Sequence, residues 1–513
     1  MSGQETENNQ DKSSSTKASP SLSLSASLDE NMALFRRIFA NDGTLRTRMI
    51  NNAYSNKIRC GLIYIDGMAD RDLIQEAITR PLMRFDFGDI EDLAAEGLID
   101  KIQTQIINIS EVALYKKPDD LISAIVAGYS VLFVDGISEG LSLNVQGWET
   151  RAISEPTSER GIRGPREGFT ESLPVNLSLI RRRILTPDLK FIISEVGTRS
   201  KTPTCLVYLE SLASPDILQE LQKRLKQVKV DHILDTGYLA ELVADEPYSP
   251  FDMIGNTERP DTVVGKIMEG RIALLIEGSP FALTLPYLFV ENFQTSEDYY
   301  LNYFFASGNR MLRVLGAFLS ISIPAVYLSL VSFSQEMLPT MLLLSIANAR
   351  KAVPFPTIVE AILMLTMFEV LREAGARIPA AIGQAVSIVG ALVLGQAAVD
   401  ARIVSAPMVI VVGVTGITSL LNPRIIGPLL VIRLLLLLSS FLLGLYGYFL
   451  GLLAVVVHLM SLRSFGVSYM LKVGSIKPED IKDTIIRAPW WHIYLHPVIV
   501  GARNRKRKPG NRP

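Results

Sequence analysis

Beyond residue 310 the chain carries apolar stretches long enough to cross a lipid bilayer, and this feature limits its possible folds more than any other. Roughly 20 apolar residues span the hydrocarbon core, and inside lipid only helices or closed barrels satisfy every backbone polar group. Met311–Ser332 is the clearest such stretch, with Arg310 and Arg313 at its entrance. Pro356–Val370 is shorter and carries Glu360 and Glu369, while Ile382–Val399 and Ile403–Leu421 are split by the break Asp400–Arg402. Ile426–Leu462 is nearly continuous and too long for one crossing, so it divides near Tyr446–Gly447. An all-α multi-span transmembrane bundle is predicted over 301–463, with six crossings or four plus a re-entrant pair.

Ionisable residues inside such stretches are functional suspects because hydrocarbon is costly for charge. Glu360, Glu369, Arg433 and His458 qualify. Glu360 and Glu369 lie on opposite sides of a straight helix, whereas Ile362, Thr366, Glu369 and Glu373 share one face that can line a water path. These four and Glu360 are the pore or gating candidates. The competing reading pairs Glu369 and Glu373 with Arg372 or Arg377 at the interface, and leaves Arg433 snorkelling. Gly444, Gly447 and Gly451 signal either tight helix packing or a turn between two spans.

Counting positive charges over six spans puts Arg310, Arg313, Arg372, Arg377, Arg424, Arg463 and the basic tail Arg503–Lys508 on the side of the N-terminus. Arg350, Lys351 and Arg402 fall opposite, so both termini are expected in the cytosol. The tail either touches anionic headgroups or is simply solvated. Met1–Glu30 is polar and Ser-rich, without the apolar core of a signal peptide. It reads as a disordered tail and, with its lead-in, fills 1–54.

Ahead of the apolar half, the sequence repeats itself. Ile63–Leu82 aligns without gaps on Val207–Lys226, and Asp119–Leu143 aligns on Asp261–Leu285, in the same order and at offsets of 144 and 142. In each copy a short apolar run suits a buried strand, and Asp72 or Asp216 opens a helix with apolar positions three and four apart. Gly136 and Gly278 sit between apolar runs, where a hairpin-like reversal fits. The predicted soluble part is therefore a pair of duplicated α/β subdomains, 55–150 and 190–300. Between them, 151–189 is an Arg/Gly-rich connector, and 464–513 follows the bundle as a cytosolic tail. Arg160, Arg163 and Arg166 of the connector could hold a phosphate or carboxylate or make an interdomain contact. Pairing with nearby Glu159, Glu167 and Glu171 is the alternative.

Little in the inventory suits catalysis. GxxxxGK[ST], HExxH and GxSxG are all missing. His492 and His496 have helical spacing, but Pro497 follows and no acidic third ligand is close, so no metal site or cofactor is expected. With Trp490 and Trp491 they read instead as an aromatic anchor. Cys60 and Cys205 are the only cysteines, too few for a disulfide framework. A net charge of −1 gives no reason to expect nucleic acid.

Several ordered segments carry a family resemblance: IYIDG (Ile63–Gly67), IRGPREGFTESL (Ile162–Leu173), LIRRRI (Leu179–Ile184), PYSPF (Pro247–Phe251), NTERPD (Asn256–Asp261), EGSPF (Glu277–Phe281) and SEDYY (Ser296–Tyr300). LREAGARIP (Leu371–Pro379), IGQAVSIVGALVLGQAAV (Ile382–Val399), SLRSFGVSY (Ser461–Tyr469) and IRAPWW (Ile486–Trp491) extend it through the apolar half. In these blocks the chain resembles the A subunits of the GerA family of spore germination proteins. The resemblance implies a nutrient-responsive germinant receptor of the spore inner membrane, partnered by a transporter-like B subunit and a lipoprotein C subunit. It further implies A subunits ringed into a gated ion channel that releases monovalent cations. A SpoVAF-type paralogue, which supports germination without sensing nutrients, shares these motifs.

Overall fold

The structure is a computed structural model that describes residues 23–54, 58–87, 95–147, 159, 161, 163–378, 393, 395–470 and 483–489. They fall into two compact units, 1–150 with 181–189, and 151–180 with 190–513.

The first unit is built on a five-stranded antiparallel sheet. Its strands are β1 (Leu45–Asn51), β2 (Arg59–Ile65), β3 (Val112–Tyr115), β4 (Ser130–Val134) and β5 (Gly140–Leu143), in the order β1-β2-β4-β5-β3. β4 and β5 are buried throughout and join through Gly136, whose φ of 86° makes the tight reversal. Helix α1 (Leu28–Ile38) lays Leu28, Met32 and Phe35 on the sheet. Gly61 lets it approach, since a Cβ there would stand 2.6 Å from the Met32 sulfur. The region ahead of residue 55 is therefore not all tail: α1 and β1 belong to this domain. Apolar positions four, three and four apart from Leu28 to Phe39 make that helix amphipathic. The helical segment 71–84 starts where the Asp70 carboxylate accepts the amides of Asp72 and Leu73. Helix α2 (Pro118–Val126) packs Leu121 and Ile125 beneath the sheet. Arg181, at the end of α3 (Leu173–Arg181), is buried against Asp42, which is equally buried.

The second unit opens with a sheet of the same design. β6 (Leu189–Val196), β7 (Thr202–Leu209), β8 (Gly255–Thr257), β9 (Ile272–Ile276) and β10 (Ala282–Leu285) run in the order β6-β7-β9-β10-β8. The register repeats as well: Leu132 faces Leu141 and Leu62 in the first sheet, as Leu274 faces Leu283 and Leu206 in the second. Helix α4 (Pro215–Gln227) buries Ile217, Leu221 and Leu225 at helical spacing, and α5 (Thr236–Val243) and α6 (Pro260–Met268) complete the layer.

The same unit continues into helices. α7 (Tyr303–Ser332), α8 (Thr340–Arg350), α9 (Thr357–Arg377), α10 (Ala406–Leu420) and α11 (Ile426–Ser461) follow in order. α7 is central, with Ala317, Ile321 and Ala325 set against Leu429, Ile432, Leu436 and Tyr448 of α11. α11 is broken at Gly444, at φ 58° and ψ −139°, and doubles back. A Cβ on Gly447 would meet the Ser439 carbonyl at 1.9 Å, and one on Gly451 would meet Leu436 at 2.9 Å. The long apolar run thus folds as a helical hairpin that reverses at Gly444, slightly before the expected point.

Among the described residues, two helices combine the length and apolarity of a crossing, α7 and the 39-residue helical stretch containing α11. That is fewer than the predicted six crossings, or four plus a re-entrant pair. α9 carries Glu360, Glu369, Arg372, Glu373 and Arg377, α10 is 15 residues long, and most of Ile382–Val399 lies outside the described residues. α8 was not expected from the sequence at all.

Candidate functional site

In the second unit the sheet domain runs directly into the helices, and at that point buried charges converge. Pro286–Asn302 crosses the face of α6 and the sheet as a strap containing two short 3₁₀ turns. Each turn is closed by its own acid: the Glu291 carboxylate accepts the Leu288 amide at 2.9 Å, and Asp298 accepts that of Thr295 at 3.2 Å. These acids are nearly sealed from solvent and receive cations from both sides of the junction. Glu291 receives Lys266 of α6 and Arg271, which immediately precedes β9. Asp298 receives Arg310 Nε at 2.7 Å and Arg313 Nη2 at 2.6 Å, both from the first turns of α7. Arg310 is completely buried and also reaches Asp483 at 2.7 Å, which in turn accepts the Tyr299 hydroxyl at 2.6 Å.

Burial works against ionisation of Glu291, but Arg271 and Lys266 outweigh it and hold the carboxyl at about 2. For Lys266, burial and the Arg271 charge prevail over Glu291 and bring the ammonium down to about 8. Buried ion pairs of this kind add little net stability over an apolar replacement, yet removing one partner is costly. They define one arrangement of strap, sheet and helix.

The connector joins the same junction. Glu159 pairs with Arg424, at the start of the last helical stretch, at 2.6 Å, and also accepts Thr257 Oγ1. Arg259 donates to the Pro165 carbonyl at 3.0 Å and forms a two-pronged pair with Asp261 at 2.8 and 3.0 Å. Tyr300 of the strap donates to Asp261 at 2.6 Å. Gly164, at φ 120°, lies against the Tyr300 ring, where a Cβ would come within 2.6 Å. After α11 the chain re-enters the sheet domain through a small hairpin, Arg463–Ser464 with Val467–Ser468. Its tip, Phe465, is buried with Leu206, Leu221 and Leu274, and its amide donates to Asp245. A cavity of about 200 Å³ is lined by Asp261, Lys266, Glu291, Tyr300, Arg424 and Asp483 among others.

The residues singled out from sequence are placed elsewhere. Glu360 is buried and accepts the Ser405 amide at 3.1 Å and hydroxyl at 2.8 Å, with Arg350 at 3.5 Å. Glu369 pairs with Arg372 at 2.7 Å and with Arg433 at 3.2 Å, so Arg433 has a carboxylate partner inside the helices. Glu373 pairs with Arg377 at 2.6 Å on the surface. Ile362, Thr366 and Glu373 are exposed on α9. Arg163 and Arg166 are exposed on the connector, while Arg160 and the His492–His496 pair lie outside the described residues. Of the acids expected to pair locally with the connector's arginines, Glu159 turns to Arg424. Sequence reasoning missed Lys266, Arg271, Glu291, Asp298, Arg424 and Asp483 as a group. The sequence did carry a signal for one of them, because SEDYY contains Asp298; with NTERPD it also contributes the neighbouring Tyr300, Arg259 and Asp261.

Comparison with known proteins places the chain. The profile described as "Bacillus/Clostridium GerA spore germination protein" matches residues 33–499. "Uncharacterized membrane protein YfkQ" of Bacillus subtilis (strain 168) is 42% identical over 441 residues, 85% of each chain. "Spore germination protein KA" of the same organism is 40% identical over 487 residues, covering 94% of this chain and 89% of that one. The crystal structure of the N-terminal domain of the A subunit of the Bacillus megaterium spore germinant receptor GerK3 aligns with a TM-score of 0.41 at 33% identity, covering 53% of this chain and 99% of that domain. On the extent of these matches, the chain belongs to the GerA family of spore germination proteins.

Proposed function

We propose that this protein is the A subunit of a nutrient-responsive spore germinant receptor, anchored in the spore inner membrane with both termini in the cytosol. It works with a transporter-like B subunit and a lipoprotein C subunit, and copies of it assemble around a gated path through which cations leave. The observation that carries this reading is the near full-length match to spore germination proteins. It is supported by an α9 face, Ile362, Thr366 and Glu373, that no other described residue covers. Glu369 and Glu360, each tied to an arginine, are the proposed gating groups. The buried ionic junction transmits movement between the sheet domain and α7. A SpoVAF-type accessory protein or non-conducting scaffold is the second reading of the same family match.

Deletion of the gene followed by exposure of spores to a nutrient panel tests the assignment. Loss of cation release toward one nutrient class is expected. Full response to every nutrient would favour the accessory reading. Glu369→Gln is expected to alter the flux, and unchanged flux in both Glu369→Gln and Glu360→Gln would remove these residues from the path.

A further inference from the structure

The two sheets share order and register, but among the described residues only the second has its α-helical flank covered by its own chain. In the second sheet the strap lies over β8, β10 and α6. Tyr287 sits against Gly255 and Thr284, Glu291 binds Lys266 and Arg271, and Tyr300 binds Asp261. Adding 142 converts the β3–β5 register into that of β8 and β10, so the equivalent positions of the first sheet follow residue by residue. Ala113 stands for Gly255, Ser142 for Thr284, Ala124 for Lys266, Tyr129 for Arg271 and Asp120 for Thr262. Nothing described covers this flank. A cavity of about 280 Å³ opens there, lined by Glu111, Tyr115, Asp120, Ser123 and Tyr129 among others.

The chemistry is inverted along with the cover. Where the second sheet offers two cations to an acidic strap, the first offers Glu111 and, at the start of α2, exposed Asp119 and Asp120. An occupant of this flank must therefore bring cations. The connector supplies them: Arg163 and Arg166 are exposed, have no ion-pair partner among the described residues, and flank Gly164–Pro165, which keeps the segment out of a helix.

We propose that the α2 flank of the first sheet is an interface between copies of this chain, and that it receives the Arg163–Arg166 segment of a neighbour. The inference rests on the self-association contained in the proposed function and assigns the surfaces that meet. Two guanidinium groups on carboxylates at a partly wet rim give specificity and salt sensitivity more than raw affinity.

The test uses the full chain in membranes and in mild detergent. Ser123→Cys combined with Arg163→Cys is expected to give intermolecular disulfide dimers on mild oxidation, while each single variant does not; Cys60 and Cys205 are buried and do not interfere. In parallel, Asp119→Lys with Asp120→Lys should lower the assembled fraction about tenfold in low salt, as should Arg163→Glu with Arg166→Glu. Combining the two sets should restore it to within about threefold. Assembly that persists in all variants, with no cross-link in the cysteine pair, would overturn this interface and leave self-association standing. A chain that stays monomeric at every concentration would overturn both.

Discussion

Replacing Glu291 by Gln isolates what the buried junction contributes. The amide keeps the size of the side chain but removes the charge facing Lys266 and Arg271, leaving Arg271 the Glu269 carboxylate at 3.5 Å and the Pro286 carbonyl at 2.6 Å. Two routes give the cost. Breaking a buried pair by removing one partner costs about 3–5 kcal/mol, and the surviving Glu269 contact favours the lower figure. Independently, the carboxyl moves from its ordinary 4.5 to about 2 in the folded chain, which corresponds to about 3 kcal/mol of stabilisation. The folded value is the lower one, so this stability is present above pH 4.5 and is lost as pH falls toward 2. The readout is amide exchange of the strap in the detergent-solubilised protein, where Phe289 donates to the Tyr469 carbonyl and Gln294 to that of Glu291. Glu291→Gln should speed exchange of peptides covering 286–300 roughly 100-fold at neutral pH, since about 1.4 kcal/mol is a factor of ten. Adding Lys266→Met removes one stranded cation and should return exchange to within about tenfold of the parent. Less than a threefold change in Glu291→Gln, or no recovery in the double variant, would refute the reasoning.

Other consequences are open to direct measurement. Gly447→Ala forces a methyl into the Ser439 carbonyl and should destabilise the helical hairpin by about 1–3 kcal/mol, seen as a lowered Tm in detergent; Gly427→Ala, with open space around it, should leave Tm unchanged. Asp42→Asn removes the charge that faces buried Arg181 and should cost about 3–5 kcal/mol, read as faster exchange in 40–45. Lys266 is held at about 8 against an ordinary 10.5. Between those values the unfolded chain binds the extra proton, so resistance to urea at the strap should rise with pH across that window in the parent. Lys266→Met should abolish the rise.

Much of the sheet domains was legible because their signals are local. Short apolar runs flank Gly136 and Gly278, and two ungapped alignments set the correspondence that the strand register repeats. The helical hairpin was legible from length alone, and Gly444 marks the break through its positive φ. The junction was not legible. Arg310 and Arg313 at the head of an apolar stretch look like flanking charges that set topology, and only the fold brings Asp483 to Arg310 from 173 positions away. α1 was missed because the reading of Met1–Glu30 as a polar tail ran over its first turn, although its apolar positions recur at helical spacing. α8 escaped because Thr340–Arg350 is short and has little amphipathic contrast.

Phe465 gives the last helix a second attachment. The chain leaves the sheet domain through the strap, traverses the helices, and returns to the same domain with an aromatic side chain seated among Leu206, Leu221 and Leu274. The helices therefore hang as a closed loop from one sheet domain. If the second arm of the hairpin tilts or slides, the displacement is pulled back onto the sheet it started from, much as a crank returns to its own axle.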